Sequence, residues 1–158
     1  MSQQPAVIDS ENFTVSRTVH IKAAPGRVWA ALTRSDLITE WLGNTAHLPD
    51  LRVGGEGWFG FEGFGEFPVR IDEYDEPAVF AFTWGTPPAP RDGEPSNMTP
   101  ENSTQVRFTL VADGEATILS VVESGFGLLR NPLDAMNSNR QGWTDELDEL
   151  VAYLEGSA

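Results

Sequence analysis

The sequence predicts an α+β domain in which a curved antiparallel sheet is covered by a C-terminal helix. Short apolar runs between turn residues fill the stretch from Leu51 to Gly125. Helical patterns interrupt the strands only once, after the first strand, and the last apolar pattern returns to helical spacing. Strand, two short helices, six strands and a long helix do not make the βαβ alternation of a parallel sheet. At 158 residues the chain suits one domain. A domain of this size buries about 68–70% of its unfolded surface without needing a disulfide or a metal.

Residues 1–12 are polar and aperiodic, and read as a flexible tail. In FTVSRTVHIK, Phe13, Val15, Val19 and Ile21 alternate with Thr14, Ser16, Thr18 and His20, the period of a half-buried strand. Pro25 suits the first turn of a helix. Val28, Trp29 and Leu32, then Leu37, Ile38, Trp41 and Leu42, mark two short helices broken near Thr33 to Ser35. Six strands follow: LRVGG, EGWFGFEG, GEFPVRIDEY, AVFAFTW, TQVRFTLVAD and ATILSVVES. Asp113 and Gly114 join the last two in a tight turn that needs positive φ.

The glycines from Gly54 to Gly65 suit a bent sheet with bulges. A phosphate-binding loop would need a glycine turn opening a helix, with a lysine, and neither is present. GTPPAPRDGEPSNMTPEN, after Trp84, holds five of the eleven prolines and reads either as disordered or as a flap at a pocket mouth. In NRQGWTDELDELVAYLEG, Trp143, Leu147, Leu150, Val151 and Leu154 share one helix face. Asp145, Glu146, Asp148, Glu149 and Glu155 face water. Such a helix covers the sheet with its dry side.

The absence of cysteine excludes disulfides, thiolate metal sites and a cysteine nucleophile, and fits a reducing cytoplasm. MSQQPAVIDSEN has neither the basic nor the apolar region of a secretory signal, and no apolar run approaches the roughly 20 residues of a membrane span. The expected location is cytoplasmic. The net charge of −14, from 24 acidic and 10 basic residues with the arginines scattered, argues against nucleic acid and anionic lipid as partners.

Four segments, APGRVWAALTRSDLITEWL, LRVGGEGWFGFEG, FAFTW and GW followed by LDELVAYLEG, occur in an order that resembles the SRPBCC, or START-like, superfamily. Within it they are most similar to the group named after the C-terminal domain of the activator of the ninety-kilodalton heat-shock chaperone ATPase. The resemblance implies one START-like domain over residues 13–158. It also implies a helix-grip fold, in which a seven-stranded curved antiparallel sheet wraps a long C-terminal helix and leaves an internal pocket for apolar ligands.

On that reading Trp41, Phe59, Phe61, Phe80, Phe82, Trp84, Phe108, Trp143 and Leu147 together form the pocket wall, although any one of them taken singly fits an ordinary core better. Trp143 and Leu147 face its wide end, while Leu150, Val151 and Leu154 seal the sheet. Arg17 shares the face of Val15 and Val19, so it either reaches the rim or orients a ligand, with Glu123 a possible partner. His47 stays on the surface or reaches the pocket mouth.

No HExxH occurs, and the carboxylates of Asp72 to Glu76 sit at a turn, so neither metal nor cofactor is expected. Ser120 and Ser124 have no neighbouring base, and no residue is assigned a catalytic role. The function implied is binding of an apolar or aromatic small molecule by a monomer or homodimer. The alternatives are an enzyme of the polyketide aromatase/cyclase or hydrolase type acting in the same cavity, and a co-chaperone-like interaction domain.

Overall fold

A computed structural model describes residues 3–91 and 93–156. Its elements are β1 (Val7–Asp9), β2 (Thr14–Ile21), α1 (Pro25–Thr33), α2 (Ser35–Ile38), β3 (Thr45–His47), β4 (Glu56–Phe61), β5 (Gly65–Asp75), β6 (Val79–Trp84), β7 (Thr104–Asp113), β8 (Ala116–Ser124), a 3₁₀ turn (Phe126–Leu128) and α3 (Pro132–Gly156). The strands form one antiparallel sheet in the order β1-β2-β8-β7-β6-β5-β4-β3, which is open at β1 and β3. The curved sheet holds the long last helix, which is the helix-grip arrangement.

Period-two alternation decides which side chains point at that helix. On β8, Thr117, Leu119, Val121 and Glu123 are buried. Thr104, Val106, Phe108 and Leu110 are buried on β7, and Val15, Arg17, Val19 and Ile21 on β2. The β7–β8 hairpin closes at Asp113↔Ala116, where Gly114 supplies φ +62°. Pro25 opens α1, which buries Val28, Trp29, Ala31 and Leu32. α3 runs 25 residues, about 37 Å at 1.5 Å per residue, and buries Met136, Trp143, Leu147, Leu150 and Leu154.

Four local expectations change. Residues 7–9, expected within a flexible tail, form an edge strand, and Ala6 beside it is buried. The Ala6 amide donates to Thr144 Oγ1 (3.0 Å), and the Gln4 carbonyl accepts from Arg17 Nε (2.8 Å). An edge strand anchored through its backbone needs little apolar periodicity, so Val7 is left exposed.

LRVGG is not a strand. Gly54 at φ +87° turns the chain there, and the extra strand is β3, in a segment expected to be loop. The close approach of β3 to β4 needs Gly57, since a Cβ there would collide with the His47 carbonyl. The sheet therefore has eight strands rather than seven. Finally, α3 begins at Pro132, seven residues before Asn139; its first two turns bury Met136 but leave Leu133 exposed among Asp134, Asn137 and Ser138, which hides the apolar period.

Candidate functional site

The first half of α3 stands off from one end of the sheet and encloses a cleft of about 810 Å³. Its helix wall is Ala135, Ser138, Asn139, Gly142, Trp143 and Glu146. Apart from Trp143 and Glu146 these side chains are short, and their three- and four-residue spacing puts them on one face. Opposite stand Phe61 from β4, Phe67 from β5 and Trp84 from β6, with Leu42, Phe126 and Leu129 closing the sides. The rings form a connected set: Phe61 meets Phe67 at 5.3 Å edge-on, and Trp84 stacks on Trp143 at 5.9 Å. Phe64, 75% exposed on the β4–β5 turn, stands at the mouth.

Beneath the two indoles lies Glu123, fully buried because strand alternation turns it inward. Its Oε1 accepts from Trp143 Nε1 (2.8 Å) and Asn139 Nδ2 (2.9 Å), and its Oε2 from Trp84 Nε1 (2.9 Å) and Thr104 Oγ1 (2.6 Å). Every donor is neutral and every donor residue borders the cleft. A carboxyl group taken out of water needs its lone pairs satisfied, and here four side chains satisfy them without a cation.

Glu146, half-buried on the helix wall, is the other carboxyl group of note. Burial pushes its pKa up to about 7 from an ordinary 4.5, and the charges of Glu149 and Asp145 add to the effect. Glu101, Asp134 and the exposed Arg130 also border the cleft.

Of the nine expected wall residues, Phe61, Trp84 and Trp143 line the cleft. Trp41, Phe59, Phe80, Phe82, Phe108 and Leu147 are buried in the core behind it. Trp41 is tied by its Nε1 to the Ala31 carbonyl (2.8 Å), and Phe59 packs edge-on to Phe82 at 5.4 Å. Leu147, expected at the wide end, is wholly buried one helical turn past Trp143.

Arg17 lies outside the cleft and is not a rim residue. It is buried, gives Nη1 to the Thr144 carbonyl (2.7 Å) and Nη2 to Asp148 (2.7 Å), and has no bond to Glu123. The long side chain on β2 crosses to α3, where the Thr144 carbonyl and Asp148 meet it. His47 is exposed, with its ring 5.6 Å from that of Trp58 and away from the cleft. The sequence reading did not assign Thr104, Asn139, Gly142 or Glu146 to a site. The small-residue spacing of Ala135, Ser138 and Gly142 is the signal that marks this helix face.

The family model for Activator of Hsp90 ATPase homolog 1-like protein matches residues 22–155. No curated protein matches the chain. Among solved structures, a Mesorhizobium loti protein superposes with a TM-score of 0.76 at 22% identity, covering 92% of this chain and 98% of that one. The Aha1 dimer of Colwellia psychrerythraea gives 0.72 at 22% identity, with the same 92% and 98% coverage. A protein of the dynemicin biosynthetic locus gives 0.70 at 25% identity, covering 90% of this chain and 47% of the longer one.

Proposed function

This chain belongs to the Activator of Hsp90 ATPase homolog 1-like family, and from that premise we propose that it is a small-molecule binding protein that holds an apolar or aromatic ligand in the cleft under α3. The observation that carries the reading is the pairing of an aromatic wall with a helix face of short side chains. Phe61, Phe67, Trp84 and Trp143 offer rings, while Ala135, Ser138 and Gly142 leave the space those rings would otherwise fill. Volumes of about 300–1,000 Å³ with mostly apolar walls and a few placed polar groups are usual for such sites. Transfer of ligand surface from water supplies the drive, at roughly 25 cal/mol per Å². The likeness to a protein of the dynemicin locus supports the small-molecule reading. The likeness to a dimer leaves a homodimer open beside a monomer. A cytoplasmic address belongs to the same reading.

Gly142 gives the test. A Cβ added there meets no heavy atom within 4 Å, so Gly142→Leu should project into the cleft without disturbing the helix. Titration with the neutral dye N-phenyl-1-naphthylamine should give saturable fluorescence at micromolar concentration in the parent and at least a tenfold loss of affinity in Gly142→Leu, with urea stability retained. Equal binding by both proteins would place the dye elsewhere and end the reading.

Catalysis in the same cleft has one observation in its favour, the Glu146 carboxyl with its pKa near 7. Among the described residues no hydrogen-bonding partner meets it, so no reaction is assigned.

A further inference from the structure

The cleft is apolar in its rings and acidic beneath and around them. Glu123 is fully buried, and its contacts are an indole, a second indole, a hydroxyl and an amide, none of which carries charge. The nearest arginine by strand register on the same inward face, Arg17, is already matched by Asp148. Glu146 stands half-buried in the helix wall with no ion pair among the described residues, and Glu101 and Asp134, both exposed, join it at the cleft. Among the described residues the one cation bordering the cleft is the exposed Arg130. Among the described residues, then, three carboxyl groups and one guanidinium border this space, and a fourth carboxyl, Glu123, lies behind its indoles.

Resting on the reading of the cleft as a ligand site, we propose that it selects ligands that carry a positive charge, an ammonium group on an apolar or aromatic body. The reason is electrostatic. A carboxylate met only by neutral donors has no opposite charge beside it, and low-dielectric walls focus the field of such a group into the space nearby. Trp84 and Trp143 lie between Glu123 and the cleft, each with its N–H held by the carboxyl. Aromatic rings are surfaces that a partly desolvated cation tolerates, and a ring whose N–H points at an anion is more electron-rich. An anionic ligand would meet the same field with the opposite sign. A neutral ligand of the same shape would gain only the apolar transfer.

Glu146 adds a pH dependence. Burial above all, then Glu149 and Asp145 on its own helix, raise its proton affinity, and Glu101, Asp134 and Arg130 are the charged groups sharing its cleft. Above pH 7 Glu146 is ionised and attracts a cation. Below that it protonates and the attraction falls.

Two dansylamides with equal fluorophores and nearly equal chains make the test: the N-(5-aminopentyl) derivative, which is cationic, and the neutral N-pentyl derivative. At pH 8 the cationic probe should bind the parent at least tenfold more tightly. The ratio should fall at least threefold at pH 5.5, in Glu146→Gln and in Glu123→Gln, and should approach one when both substitutions are combined. If Glu123→Gln does not fold, Glu146→Gln and the pH series decide the matter alone.

The chain's net charge of −14 attracts any cation weakly, so the ratio is also measured in 0.5 M NaCl, where surface attraction is screened within about 3–10 Å. A ratio near one at pH 8, or one that disappears in salt and survives both substitutions, overturns the charge preference while leaving the cleft as an apolar site. Failure of both probes and of the neutral naphthylamine to bind defeats the cleft reading itself.

Discussion

The two halves of α3 do different work with the same backbone. From Ala135 to Gly142 the side chains that line the cleft are short and the sheet end opposite them is lined by rings, so a cleft remains, while Met136 beside them is buried. From Leu147 to Leu154 the inward side chains are leucines, and they are buried against β2 and α1. The helix does not break between the halves. The difference teaches that room for a ligand is made here by side-chain size rather than by a bend in the chain. The join falls at Trp143 and Thr144, where Arg17 and the amide of Ala6 attach to the helix.

The strongest way to break this comparison is to cut the filled half. Leu147→Ala and Leu150→Ala should each cost about 2–5 kcal/mol in urea denaturation, because a close-packed site becomes a void. Ser138→Ala, on the open half, should stay within about 0.5 kcal/mol of the parent. A Leu147→Ala cost as small as that of Ser138→Ala would mean that the cleft extends further along the helix.

The next effect concerns the join. Deleting residues 1–9 removes β1, the Ala6–Thr144 bond and the Gln4 carbonyl that accepts from buried Arg17. Leaving that donor unsatisfied should lower stability by about 2–3 kcal/mol. An unchanged urea midpoint would show that β2 alone fixes the helix.

The smallest effect is titration on the open half. The folded pKa of Glu146, about 7, lies above its ordinary 4.5, so the folded state binds the proton more tightly than the unfolded state. Its contribution is therefore complete below pH 4.5 and is lost as the pH rises through 7. Since the group is partly solvated, the loss should be about 1 kcal/mol after screening. Urea melts at pH 5 and pH 8 should show that difference in the parent and less of it in Glu146→Gln. Parallel pH profiles would place the carboxyl in solvent.

Strand alternation made much of the fold legible. Phe80 and Phe82 point inward where period two puts them, the Asp113-Gly114 turn sits where positive φ is needed, and Leu150 and Leu154 lie on the dry face of α3. β1 was not legible, because an edge strand held through backbone amides leaves little trace in side-chain pattern. β3 was hidden for the same reason.

The candidate site was legible only in part. Phe61, Trp84 and Trp143 could be named as wall residues. Their equals in size, Phe59, Phe80, Phe82 and Phe108, could not be told from them, since all are inward aromatics on neighbouring strands.

The sequence by itself determined which residues of the long strands turn inward and the order of the long strands and the helices, because side-chain period and turn chemistry are properties of a few adjacent residues. Only the tertiary structure decided which inward residues meet a neighbour and which meet open space, and what Glu123 faces. Its donors come from β6, β7 and α3, between 16 and 39 residues away along the chain. No local pattern couples a carboxyl to partners at such separations. That coupling exists once the sheet curves and the short side chains of α3 let the two indoles approach from opposite sides.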